Sequence, residues 1–91
     1  MEKIIKLEKI MKGAANKWRI AVLELLDKRP GLPLYGISEI LHMNMKTASE
    51  HVRRLSLAGL VTKRYRGSSV RHGLTGLGKT ILKFLRILDK S

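Results

Sequence analysis

Apolar residues recur along the first third of the chain at Ile4, Leu7, Met11, Ala14, Trp18, Ala21 and Leu25. Steps of three and four residues trace one stripe of an amphipathic helix. Gly13 lies inside this run and predicts a split or bend there. Beyond Trp18, the residues Ile20, Val22, Leu23, Leu25 and Leu26 widen the stripe. The pattern predicts a helix over 3–12 that buries only a narrow stripe, then a helix over 13–28 that enters the core. Trp18 and Tyr35 are expected in the core, and the methionines are expected to pack.

Arg29-Pro30-Gly31-Leu32-Pro33 is rich in turn residues and predicts a loop. Leu34-Tyr35-Gly36 reads as a brief extended piece. Ile37, Ile40 and Leu41 mark a helix of about two turns. Asn44 offers a side-chain cap to the next helix, which buries Ala48, Val52 and Leu55 and ends at Gly59. There the period changes. Leu60-Val61-Thr62-Lys63-Arg64-Tyr65 is β-branched and aromatic enough for a strand, Arg66-Gly67-Ser68-Ser69 is a turn, and Val70-Arg71-His72-Gly73-Leu74 alternates as a returning strand. A last helix starts near Gly76, with Leu77, Ile81, Phe84, Leu85 and Leu88 on one side and Lys79, Lys83, Arg86 and Lys90 on the other. Two helices joined by a tight turn and followed by a basic hairpin describe a mainly α fold with a small β-hairpin, the winged helix-turn-helix.

Composition narrows the partner. The 91 residues carry 19 Lys and Arg against 7 Asp and Glu, a net charge of +12. That length holds a single domain, 1–91. The charge points to a polyanion, and the 44% hydrophobic content is too high for a disordered basic tail. Aromatics are only 4%, too few for a platform that stacks single-stranded bases. No apolar run approaches the roughly 20 residues of a membrane span, and the N-terminus lacks a signal-peptide core, so a cytoplasmic protein is expected. There is no cysteine, hence no disulfide, thiolate metal site or cysteine nucleophile. His42, His51 and His72 show no metal-ligand spacing. Neither Ser49 nor Thr75 has a base at a suggestive distance, and no glycine-rich phosphate loop or carboxylate pair occurs. No catalytic residue, metal or cofactor is expected.

The charge is unevenly placed. Between Leu60 and Thr75 stand Lys63, Arg64, Arg66 and Arg71, with no acid. A wing lying along phosphates or in a minor groove needs that property. On the helix before it, the side opposite Ala48, Val52 and Leu55 carries Lys46, Glu50 and Arg53, with Thr47 and Arg54 at its edge and Ser49 and His51 on the flanks. Arginine can pair bidentately with guanine, and Ser, Thr and Lys can reach bases or phosphates. Glu50 can accept from cytosine N4, or pair with Arg53 or Arg54 and orient them. His51 is either a groove contact or a packed residue.

Three motifs carry a family likeness: Arg19-x-x-Val22-Leu23-x-Leu25-Leu26, Ser49-x-His51-Val52-x-x-Leu55-x-x-Ala58-Gly59-Leu60-Val61, and Leu74-Thr75-x-x-Gly78. With them the chain resembles the ArsR-type transcriptional regulators, and more loosely the MarR-type. The resemblance implies a core helix, a recognition helix running into the wing, and a closing signature before the last helix. His42 stands where the family usually has glycine, a position histidine tolerates better than most residues. Metal-sensing members use cysteine and histidine or carboxylate clusters; with no cysteine and no short histidine spacing here, the resemblance carries the DNA-binding scaffold and not metal sensing.

The expectation is a homodimer on duplex DNA, regulating transcription from a palindromic operator. The helix-turn-helix spans 37–59 and the wing 60–75. Segments 1–12 and 76–91 are the dimerisation helices, pairing through Ile4, Leu7, Met11, Leu77, Ile81, Phe84, Leu85 and Leu88, as ArsR-like proteins typically do. A sequence-tolerant architectural DNA binder is the alternative.

Overall fold

The computed structural model describes residues 1–91. Five helices and one hairpin follow in the order α1 (Glu2–Ala14), α2 (Lys17–Lys28), α3 (Leu34–Ile40), α4 (Met45–Leu57), β1 (Val61–Arg66), β2 (Ser69–Leu74) and α5 (Gly76–Asp89). One core gathers Val22, Leu23, Leu25 and Leu26 of α2, Ile37 of α3, Val52 and Leu55 of α4, then Ala14, Ala58, Leu60, Val61 and Leu82.

The first break falls two residues later than Gly13 predicts. Asn16 makes it: its side-chain oxygen accepts from the backbone N–H groups of Trp18 (2.9 Å) and Arg19 (3.2 Å), and so starts α2. Gly13 stays helical and does a different job. It lies where α1 crosses the end of α4, and a Cβ there would collide with that of Ala58. Gly78 is a second such contact, since a Cβ would strike the carbonyl of Leu60.

Leu34-Tyr35-Gly36 is helical, the first turn of α3, and not extended. The extended residue is Leu32, which bridges to His72 at the outer edge of the hairpin. Pro33 immediately precedes α3, with its fixed φ suited to a helix start. Between α3 and α4 the chain turns through His42 at φ 54°, the left-handed conformation for which glycine is the easy choice. Ser38 fastens this turn, its hydroxyl donating to the carbonyl of Met43 at 2.5 Å. Asn44 then caps α4 by accepting from Thr47 N–H at 2.8 Å.

Two expected core residues lie at the surface. Trp18 is 42% exposed, with Lys17 over its ring, and Tyr35 is 66% exposed. A hydrogen bond to Glu39 raises the pKa of the Tyr35 hydroxyl. On α5 the residue that plugs the core is Leu82, 1% exposed, which the stripe from Leu77 to Leu88 passes by.

The root of the hairpin is tied twice to the helices. Thr75 caps α5 by accepting from Gly78 N–H (2.9 Å), while its own hydroxyl donates to the carbonyl of Gly59 (2.6 Å). Arg86 of α5 reaches back to Glu24 and Asp27 of α2, both at 2.9 Å. Arg86 thus bridges two helices instead of belonging to a free basic side.

Candidate nucleic-acid interface

Helix α4 buries Ala48, Val52 and Leu55, so its opposite side must face water. Lys46, Thr47, Ser49, Glu50, Arg53 and Arg54 all stand exposed there. His51 is half-buried and turned toward Arg19 of α2, whose guanidinium lies 3.5 Å from the imidazole Nδ1. Arg19 also donates to the carbonyls of Gly13 (2.7 Å) and Lys12 (3.2 Å), the C-terminal end of α1. It links three helices, a role the family motif gives no hint of. Burial first, then the charge of Arg19, pushes His51 below the usual histidine pKa.

Glu50 joins both arginines. Arg53 grips its carboxylate with Nε (3.0 Å) and Nη2 (2.7 Å), and Arg54 Nε donates to the same carboxylate at 3.0 Å. Spacings of three and four residues put these side chains on one helical face. The hydrogen bonds, Arg53's foremost, hold the Glu50 carboxyl down at about 2. Of the two roles open to Glu50, the free protein shows the second. Side-on pairing leaves the end-on fork of Arg53 uncommitted, the edge that matches guanine O6 and N7.

The wing sorts its charges by face. In its antiparallel register Thr62 opposes Gly73, Lys63 opposes His72, Arg64 opposes Arg71, Tyr65 opposes Val70 and Arg66 opposes Ser69. Directly opposed residues share a face of the sheet. Arg64, Arg66 and Arg71 therefore lie together on one side. Lys63 lies on the other, with Tyr65, Val70 and the buried His72. All four cations are exposed, and Arg71 donates to the carbonyl of Gly31 at 3.1 Å. Tyr65, 79% exposed, stands on the face of Lys63, outside the basic set that the charge pattern marks. Its parity with Val61 places it there: the same face leaves the core as the strand runs outward.

Along the terminal helices Ile4, Leu7 and Met11 of α1 and Leu77, Phe84 and Leu88 of α5 are exposed, while Ile81 and Leu85 are half-buried. Ile5 and Ile87 add to the exposed apolar surface. No three metal-binding side chains converge, and no helix is long and apolar enough to cross a membrane.

A helix-turn-helix with a polar outer face, followed by an acid-free hairpin, defines a winged-helix DNA-binding protein. Residues 16–63 match the family model of the bacterial regulatory proteins of the arsR family, just over half the chain, and the protein belongs to that family. No curated protein matches the sequence. Solved structures do match. The homodimeric winged helix-turn-helix DNA-binding domain of Mb0332 from Mycobacterium bovis, a possible ArsR-family transcriptional regulator, superposes with a TM-score of 0.89 at 22% identity, covering 98% of this chain and 82% of that one. HlyU from Vibrio cholerae gives 0.84 at 24% identity, covering 100% and 99%. The MarR family transcription regulator SP03579 gives 0.79 at 22% identity, covering 96% and 60%. All three share the winged-helix fold with this chain.

Proposed function

We propose that this winged-helix regulator acts as a homodimer on a palindromic operator in duplex DNA. The carrying observation is the pairing of an exposed, arginine-bearing recognition helix with a wing that has four cations and no acid. Lys46, Thr47, Ser49, Arg53 and Arg54 enter the major groove from α4, and His51 and Glu50 hold that face in order. Lys63, Arg64, Arg66 and Arg71 neutralise phosphates. One such helix reads only a few base pairs, so two copies on half-sites about 34–36 Å apart supply specificity. Support for the dimer comes from the uncovered stripes of α1 and α5, together with the homodimeric state of the Mb0332 domain. The protein then works by occupancy and not by catalysis.

Selection of bound sequences from random duplex DNA, followed by footprinting and a salt titration, tests this reading. The expected result is a two-fold symmetric site and a steep fall of affinity with salt. Uniform protection of any sequence overturns it and establishes the architectural alternative.

A further inference from the structure

We propose that a cavity at the root of the wing is a binding site for a small phosphate-bearing ligand, separate from the base-reading helix. The cavity measures about 340 Å³ and lies between the hairpin, the end of α2, the Pro30–Gly31 loop and the start of α5. That volume is at the small end of the range for ligand sites. Its lining includes Arg64, Arg71 and Lys79. No residue of α3 or α4 contributes, so filling it leaves the recognition helix free.

Three features favour an anion. Arg64 and Arg71 oppose each other directly across the strand pair. Like charges in that position destabilise a hairpin unless something neutralises them. Asp27 is the one acid in the lining, and Arg86 already holds it at 2.9 Å. Arg71 is fixed at the rim by its Nη1 bond to the Gly31 carbonyl, which leaves Nε and Nη2 as a fork for an oxyanion. With Lys79 the site presents three positive charges. A phosphate monoester, at about −1.5 to −2 near neutral pH, answers that charge better than one carboxylate.

Gly73 supplies an independent observation. Glycine weakens a strand interior and often marks close approach of a ligand. Here its backbone has no positive φ, and an added Cβ would meet nothing nearer than Thr62 Cγ2 at 4.0 Å. Neither conformation nor packing calls for glycine, yet the missing side chain keeps the cavity open. A second hollow of about 340 Å³ shares Pro30, Gly31, Arg64 and Arg71 and runs on to Tyr65 and Arg66. It offers room for whatever bears the phosphate. That phosphate belongs to a free small molecule, and the DNA backbone is its competitor for the site.

The test is an NMR titration of the DNA-free protein with inorganic phosphate, then pyrophosphate, at constant ionic strength. Saturable shifts at Gly31 and Gly73 are expected. Binding should weaken at least tenfold in Gly73→Val, which narrows the cavity, and in Arg71→Gln, and stay unchanged in Lys3→Gln on α1, which lines no part of it. Arg71→Gln removes no core packing and keeps the test decisive if Gly73→Val fails to fold. Repeating the titration with bound duplex separates the sources: phosphate retained supports a free ligand, and phosphate expelled shows that the DNA backbone fills the site and overturns the small-ligand proposal. Shifts that do not saturate, or that survive both substitutions, overturn the site. Operator specificity enters none of these readouts, so the site and the operator reading fail independently.

Discussion

Glu50 sits among residues proposed to enter the major groove, where a carboxylate repels DNA, yet it holds Arg53 and Arg54 by three hydrogen bonds. If it orients them for guanine, Glu50→Gln should raise affinity for random duplex and flatten the base preference in the half-site, as read by competition binding. An unchanged preference would leave Glu50 as a surface ion pair only. The histidines make a different statement. Burial dominates the lowering of both His51 and His72, and for His72 it outweighs the hydrogen bond to the Leu32 carbonyl at 2.9 Å. Both imidazoles are favoured neutral in the fold, so below about pH 6.5 the unfolded chain binds more protons. Stability should be full above that pH and decline as pH falls toward the folded values. Thermal melts at stepped pH should show this, with a shallower decline in His72→Gln. Neither the Glu50 clamp nor the Arg19–His51 contact was settled by the sequence, because helical spacing allows a pair without choosing it over solvent.

Elements are fixed by a few local devices, and Thr75 is the most concentrated of these. One hydroxyl caps α5 and also ties it to the exit of α4. Thr75→Ala should cost about 1–2 kcal/mol, or roughly 4–16 °C in melting temperature for a domain of this size, with Thr75→Ser retaining most of it. Leu82→Ala, which empties a fully buried site, should cost about 2–5 kcal/mol. Chemical denaturation measures both. The periodicity of α2, α4 and the hairpin was legible because each has one face against the core. Asn44 and Gly59 were legible because cap chemistry is local, and Gly59 does adopt φ 78°. Trp18 and Tyr35 were misplaced because large apolar area does not say which way a residue at the edge of a stripe will turn. Leu82 was missed because on α5 the continuous stripe is the one left uncovered.

For the whole molecule, the apolar surface of α1 and α5 is larger than the domain's own packing uses. Leu7→Asp or Phe84→Asp should leave the fold intact and give a monomer by analytical ultracentrifugation. Affinity for a two-half-site duplex should fall far more than affinity for one half-site. A folded variant that remains dimeric would place the contact elsewhere. The wing-root cavity was the least legible feature, since it joins Asp27, Gly31, Arg71 and Lys79 from four separate elements that no local pattern connects.

The crossing of α1 over α4 at Gly13 has a consequence for DNA. With no space for even a methyl group between Gly13 and Ala58, and with Arg19 pinning the end of α1 beside His51, the angle between these helices has little freedom. In a dimer joined through α1, each recognition helix is then carried as if on a rigid arm. The protein becomes a ruler with one marked length. One base pair inserted between half-sites turns them about 34° out of phase. Neither arm can swing to follow, so binding should collapse to that of a single half-site rather than weaken gradually.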